Sequence, residues 1–388
     1  MGLVEKLLVP DENILSEILP DVIDLKSTSY SIISNTFNTC TFRIQLETAP
    51  LLDYPKDLIV RLEKSGRSLA ALATFQRLAS SHLNDLIPSV LQVRTTTTAA
   101  TEVDYFVTPY FTGTITLEDV WDTLDETNQL ELVNNVILAV DKLQKLDLGQ
   151  SLKGTPYISI DDNSPQPVKI AIGDLTHGFF PSAKEFLQGL LPSDNKKPPD
   201  WKLLELGDGI TIQSAHEDIG QIDLSNSELD ELQKHAVLCH NDLEPRNILV
   251  RKGSTKYELA GIIDWDMAGF FPFAYEYGYK DTVLGNSNLS FSWYTMFKNQ
   301  SSYLLPRGEC HTKLIKALRI IDHSTKRSRE GKFSTVVQIR WLQREQVEES
   351  SDLRQGWVRK AGANPPKGFS KDDQTNLEEE VLKELGLI

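Results

Sequence analysis

Basic residues are the scarce charged class: 40 Lys and Arg stand against 55 Asp and Glu, a formal net charge of −15 over 388 residues. That deficit argues against a nucleic-acid groove, which needs clustered Lys and Arg to replace phosphate counterions. No nucleic-acid partner is therefore expected, and the short basic run Lys326–Arg329 reads as a solvated helix end. Cysteine is nearly absent. Cys40, Cys239 and Cys310 are odd in number and far apart, which excludes a disulfide framework and a cysteine metal cluster and fits a reducing compartment. No apolar run approaches the ~20 residues that cross a bilayer. The opening MGLVEKLLVPDE lacks a basic region followed by a long apolar core, and Lys6 stands where a myristoylation signal has Ser or Thr. The expectation is a cytoplasmic protein without a membrane partner. With 40% hydrophobic and 24% charged residues, the chain has what an ordinary globular core requires.

The first hundred residues read as β-rich. Asn38–Leu46 and Asp57–Leu62 alternate and are β-branched, as strands do. Ser68–Leu83 has apolar residues spaced along one helix face, and Pro88 starts an extended stretch. The threonine-rich stretch Arg94–Glu102 reads as a hairpin loop entering the strand DYFVTPYF. From Thr116 the pattern becomes helical. Leu117–Leu124 and Asn128–Leu146 read as amphipathic helices, the second with Leu130, Val133, Ile137 and Val140 on its apolar side. Ser151–Trp201 reads as an insertion with long loops. Ser227–His235 is expected to be a helix capped by Ser225 or Ser227, and Leu377–Leu385 a short closing helix. The organisation is an α+β chain: a small β-containing part over residues 1–110, then a larger, mainly helical part over 111–388.

Two strings carry chemistry. VLCHNDLEPRNILV runs from Val237 to Val250, and GIIDWDMAG from Gly261 to Gly269. The apolar stretches Ile248–Val250 and Leu259–Ile263, joined by the polar turn RKGSTKYE, form a hairpin that brings Asn247 and Asp264 to one end. Phosphoryl transfer needs a carboxylate near the acceptor hydroxyl, oxygen ligands for Mg²⁺ and a cation on the nucleotide phosphates. An amide and a carboxylate suit Mg²⁺, which prefers hard oxygen donors and retains several waters.

The full string His-x-Asp-x-x-x-x-Asn-Ile-Leu-Val followed by Ile-Ile-Asp-Trp-Asp resembles the motifs of the aminoglycoside phosphotransferase and choline-kinase-like family. The resemblance spans about Ile33 to Leu305, and Gly173–Leu187 resembles a segment common in fungal-type members. It implies a bilobal protein-kinase-like fold, with a catalytic loop at 238–250 and a metal-binding segment at 261–269. It further implies that Asp242 orients the acceptor hydroxyl or takes its proton, and that His240 braces the loop. Asn247 and Asp264 would ligate Mg²⁺. ATP or GTP would be the phosphoryl donor, with Arg61 on the α- and β-phosphates and Asn38 in the phosphate loop. The backbone from Thr108 through Tyr110 to Phe111 would meet the base. A role for Asp266 stays open; on an extended strand it shares a face with Asp264.

Two departures bear on that expectation. The stretch Ser34–Asn38, where the phosphate loop of this fold carries glycine, has none, so its amides approach phosphate less freely. Ala71 stands where the following helix should offer a Glu to the cation, which leaves Glu63 or an acid from elsewhere to substitute. The leading expectation is a Mg²⁺-dependent kinase for a hydroxyl on a small molecule, and the acidic charge favours an amine-bearing acceptor. The alternatives are a pseudokinase that binds without transfer and a kinase-fold enzyme repurposed for another reaction.

Overall fold

The computed structural model describes residues 7–19, 29–46, 55–64, 69–97, 102–148, 157–158, 168–169, 171–191 and 199–388. The chain forms two compact units, and it crosses between them several times. The first unit takes residues 1–117, 154–170 and 246–268; the second takes 118–153, 171–245 and 269–388.

The first unit opens with helix α1 (Glu12–Ile18), capped by the Asp11 side chain on the Ile14 amide. Strands β1 (Ser29–Asn35), β2 (Thr39–Gln45), β3 (Asp57–Lys64), β4 (Gln92–Thr97) and β5 (Glu102–Pro109) form one antiparallel sheet in the order β1-β2-β3-β5-β4. Alternation decides its faces. Cys40, Phe42 and Ile44 of β2 and Leu58, Val60 and Leu62 of β3 are fully buried, in one apolar cluster with Ile14 and Ile18 of α1. The intervening Thr41, Arg43, Ile59 and Arg61 stay half-buried on the other face. Helix α2 (Leu69–His82) follows β3, and Ser68 lies outside the described residues. A second small sheet joins β6 (Thr114–Thr116), β15 (Ile248–Lys252) and β16 (Tyr257–Ile262). The short strands β7 (Tyr157–Ile158) and β8 (Val168–Lys169) pair with each other.

The second unit contains the long helix α3 (Glu126–Leu143), capped by Asp125 on the Asn128 amide. A four-stranded sheet follows in the order β10-β9-β17-β14, built from β9 (Ile172–Asp174), β10 (Gly178–Phe180), β14 (Ala236–Cys239) and β17 (Gly269–Pro272). A three-stranded meander, β11 (Trp201–Leu206), β12 (Gly209–Ser214) and β13 (Gln221–Ser225), lies between helices α4 (Ala183–Gly189) and α5 (Asn226–Lys234) in sequence. Ser225 and Glu228 form a capping box at the start of α5. Helices α6 (Phe273–Val283), α7 (Phe291–Ser301), α8 (Glu309–Ser328), α9 (Phe333–Arg344) and α10 (Lys371–Glu384) complete the unit, with a hairpin of β18 (Val347–Glu349) and β19 (Trp357–Arg359) before α10. No described helix is long and apolar enough to cross a membrane.

Several local expectations are corrected. Leu117–Leu124 is not an α-helix: the Leu117 amide extends the β6–β15 ladder onto the Ile248 carbonyl, and only Trp121–Thr123 makes a 3-10 turn before the Asp125 cap. Leu130 is exposed; the buried face of α3 is Leu132, Val133, Val136, Ile137, Val140 and Leu143. Arg94–Thr97 is strand rather than loop, because its β-branched threonines pair across to β5 and Thr95 donates to Asp104. The described part of the Ser151–Trp201 insertion holds β7, β8, β9, β10 and α4.

Candidate active site

Strand β14 delivers the chain to His240, which is buried and accepts the Asp242 amide on Nδ1 at 3.3 Å. That bond leaves the ring proton to Nε2 when the imidazole is neutral. Between them, Asn241 has φ 62°, a left-handed conformation that Asn tolerates better than most residues. Its amide donates to Glu276 Oε1 at 3.2 Å. The buried Glu276 carboxyl is pushed up by desolvation. Lys280 opposes this, as do donors from the backbone of Asn241 and His240 and the Cys239 thiol. One helical turn further along α6, Lys280 Nζ holds the Leu243 carbonyl at 2.7 Å and Glu244 Oε1 at 3.0 Å, and lies 4.1 Å from the Phe297 ring centroid. Two buried side chains of α6 thus fix both halves of the turn that presents Asp242. Neither was anticipated; the signal was a Glu and a Lys four positions apart in an otherwise aromatic run, FAYEYGYK.

The chain then enters the first unit at Arg246, and Asn247 ends a single 3-10 turn. The hairpin of β15 and β16 forms as read, pairing Ile248 with Ile262, and the Ile263 amide donates to the Asn247 carbonyl at 3.0 Å. Asp264 follows directly, so the hairpin does carry Asn247 and Asp264 to one end. Asp264 also has φ 62°. Backbone in this region costs energy and persists where its surroundings hold it. Here the Trp265 indole donates to the Ile262 carbonyl, and the Ala268 amide closes a turn on the Trp265 carbonyl. Asp264 and Asp266 are therefore not successive residues on one face of an extended strand. A turn brings them to the same cation.

That cation is Arg61 of β3. Its Nη1 and Nη2 donate to the two carboxylate oxygens of Asp266 at 2.5 Å each, and its Nε and Nη2 donate to Glu63 Oε1 at 3.0 and 2.5 Å. Asp264 Oδ1 stands 3.9 Å from Nη1. Burial acts to lower the Arg61 pKa, but Asp266 above all, then Glu63 and Asp264, more than reverse it and hold the guanidinium charged. The pair missing at Ala71 is supplied by Glu63, two residues along the same strand and so on the same face. Exposure separates the acids: the Glu63 side chain is 3% exposed, Asp266 34% and Asp264 44%.

The expected nucleotide residues share this unit. Thr108 pairs with Ile59 across β3 and β5 and is buried. The Tyr110 amide is engaged by the Asp57 carbonyl at 3.0 Å, and its ring lies 4.0 Å under the Arg43 guanidinium. The Phe111 carbonyl accepts from Thr114, and its ring covers Gly261 closely enough that a Cβ there would come within 3.0 Å. In the loop that should face phosphate, the Thr36 hydroxyl accepts from the amides of Asn38 and Thr39 at 3.2 and 2.9 Å. The structure thus gathers Arg61, Asp264 and Asp266 and sets Asn247 beside Ile263. It turns the amides of Asn38 and Tyr110 inward. Among the described residues, no three His, Cys, Asp or Glu side chains converge to hold a metal by themselves.

A family model described as the phosphotransferase enzyme family matches residues 41–280, more than half of the chain. No curated protein matches the sequence. Similar solved structures include one described as the GDP and kanamycin complex of APH(2")-IIia, 12% identical, with a TM-score of 0.46 and 97% of each chain covered. Another, the GDP complex of wild-type aminoglycoside 2'-phosphotransferase-IIIa, is 12% identical with a TM-score of 0.45, covering 96% of this chain and 97% of the other.

Proposed function

The chain belongs to the phosphotransferase enzyme family, and from that premise we propose that it moves the γ-phosphoryl group of ATP or GTP to a hydroxyl of a small molecule. The observation that carries this reading is the hairpin end, where Asn247 and Asp264 stand in the unit that holds Arg61. An amide oxygen and a carboxylate suit a hard cation, so Asn247 and Asp264 would hold Mg²⁺. When bound, the cation supplies charge neutralisation between the phosphates. Asp242, five positions before Asn247 on the same loop, takes the proton of the acceptor hydroxyl as its oxygen attacks the γ-phosphorus, whose bond to the β–γ bridging oxygen breaks and releases ADP or GDP. His240 fixes the Asp242 backbone, and Glu276 and Lys280 hold the turn against α6. Arg61 faces the phosphates, with Asn38 beside them. The base meets the backbone from Thr108 to Phe111, where the Tyr110 amide is already engaged. The surplus of acid over base in the chain supports an amine-bearing acceptor, and the three scattered cysteines support a reducing, cytoplasmic setting.

One observation favours the second reading, nucleotide binding without transfer: the glycine-free phosphate loop closes its own amides on Thr36. Thermal melting with ATP and with GTP, each with and without Mg²⁺, separates the possibilities when joined to Asp242→Asn. A ligand at 100 times its dissociation constant stabilises the folded state by about 2.7 kcal/mol, enough to raise the midpoint by a degree or more. Transfer predicts a Mg²⁺-dependent shift kept by Asp242→Asn, with phosphorylated product reduced by a factor of about 10² to 10⁴. An Asp242→Asn enzyme that still forms product at more than a few per cent of the original rate would remove Asp242 from this role.

A further inference from the structure

We propose that Asp266 is a latch on Arg61, released when a divalent cation occupies the Asp264 side, so that cation and phosphate bind as one coupled event. The inference rests on the phosphotransferase reading and concerns the positioning of its nucleotide site. Arg61 offers five N–H donors in a planar fork. Four bonds to Glu63 and Asp266 cover Nε, Nη1 and Nη2, leaving one Nη1 proton on the side of Asp264. A phosphate reaching this guanidinium meets a fork already filled by carboxylates of the sign and geometry it would itself supply.

The two filled sides differ. Glu63 is buried, so its pairing with Arg61 is structural: an isolated carboxylate at that depth is strongly disfavoured. Asp266 is one-third exposed and can leave into water. Charge gives it a reason to move. Three carboxylates share one guanidinium, and among the described residues Arg61 is the one basic side chain in an ion pair with Glu63 or Asp266. Three like charges crowded on a single guanidinium repel one another, and Asp266, beside solvent, is freer to respond than the buried Glu63. Asp264 and Asp266 lie at either end of the short turn around Trp265, so a cation at Asp264 attracts the Asp266 carboxylate from two residues away. Each displacement of Asp266 towards the cation frees Nη1 and Nη2 for phosphate. Without the cation, Arg61 stays neutralised and nucleotide is excluded.

The test is equilibrium binding of ATP and GTP, by calorimetry, in EDTA and in Mg²⁺. Wild type is compared with Asp266→Asn and with Glu102→Gln as a control for the same loss of charge on an exposed side chain of the first unit. The latch predicts that Asp266→Asn binds metal-free nucleotide at least tenfold more tightly than wild type, while Glu102→Gln does not. It also predicts that Mg²⁺ improves binding by a smaller factor in Asp266→Asn than in wild type, and that Asp266→Glu restores the wild-type metal dependence. Metal-free affinity in Asp266→Asn equal to or below wild type, beside normal Mg-nucleotide binding by the wild type, overturns the latch and leaves the phosphotransferase reading standing. No nucleotide binding by the wild type under any condition overturns both.

Discussion

Lys298 and Arg61 are both held by carboxylates, and they are held differently. Lys298 of α7 is enclosed: its ammonium donates to Asp281 Oδ1 at 2.8 Å and to the Tyr277 carbonyl at 3.2 Å, and it lies 3.8 Å from the Tyr277 ring centroid. Asp281 is held in turn by the Tyr294 hydroxyl at 2.6 Å, and the Trp357 indole takes its carbonyl at 3.0 Å. Burial pulls the Lys298 pKa down, and Asp281 works against that. One positive charge meets one negative charge, out of water, tying α6, α7 and β19 together. Gly356 belongs to the same knot: it has φ 68°, and a Cβ there would collide with Tyr294 Oη and the Asp281 carboxylate. Arg61 is partly exposed and outnumbered three to one. A balanced, buried pair is architecture. Three carboxylates crowded on one partly exposed cation are not closed off from water in the same way.

The largest stability effect expected from this contrast is at Lys298. Lys298→Met keeps the aliphatic stem but strands the Asp281 carboxylate, and breaking one side of a buried pair typically costs about 3–5 kcal/mol. Urea denaturation should show that loss, with part of it recovered in the double variant Lys298→Met/Asp281→Asn, because removing both charges removes the uncompensated one. A single variant within about 1 kcal/mol of wild type would mean that the pair is not the structural knot its enclosure suggests.

A smaller effect comes from a buried base with no acid on its ring. His311 of α8 packs edge-on against the His235 ring with centroids 5.5 Å apart. Burial, then the neighbouring His235 and Arg354, push its pKa down to about 4 while Glu231 opposes. The folded state therefore keeps His311 neutral where the unfolded chain, with the ordinary value of 6.5, takes up a proton. Protons bind preferentially to the unfolded chain between these values, so stability is intact above about pH 6.5 and declines as pH falls towards 4, by up to about 3 kcal/mol. Unfolding free energies at pH 7 and pH 4.5 should differ less in His311→Gln than in wild type. Identical pH dependence in the two would show that His311 is solvated in the folded protein.

The same contrast explains what the sequence could disclose. The string from His240 to Val250 is contiguous, so its residue types and spacing were legible, as was the hairpin that joins Asn247 to Asp264, because its two apolar runs and polar turn are local. The Glu63 partner of Arg61 was half legible, since residues two apart on a strand share a face. Asp266 reaches Arg61 across 205 positions, by a turn whose first Asp is left-handed, and nothing local encodes that. Glu276 and Lys280 were hidden for a different reason. Helix α6 is buried nearly all round, so it offers no apolar stripe from which an inward-facing charge would stand out. Leu130 was misplaced because a helix rich in apolar residues fits more than one face, and packing chose another.

A third kind of pair marks the lower end of the comparison. Lys371, at the start of α10, donates to Asp119 at 3.2 Å, with side chains 76% and 45% exposed. Charge is balanced here, as at Lys298, but water competes for both partners and two flexible side chains must be ordered. Such pairs contribute about 0–1 kcal/mol, and salt screens them over roughly 8–10 Å. Lys371→Ala should therefore leave stability within about 0.5 kcal/mol of wild type, a difference that vanishes at 1 M NaCl in urea denaturation. A loss above 1 kcal/mol that survives high salt would show that balance stabilises even without burial. Enclosure would then no longer be what separates Lys298 from the exposed pairs, and the crowding around Arg61 would have to be judged by charge count alone.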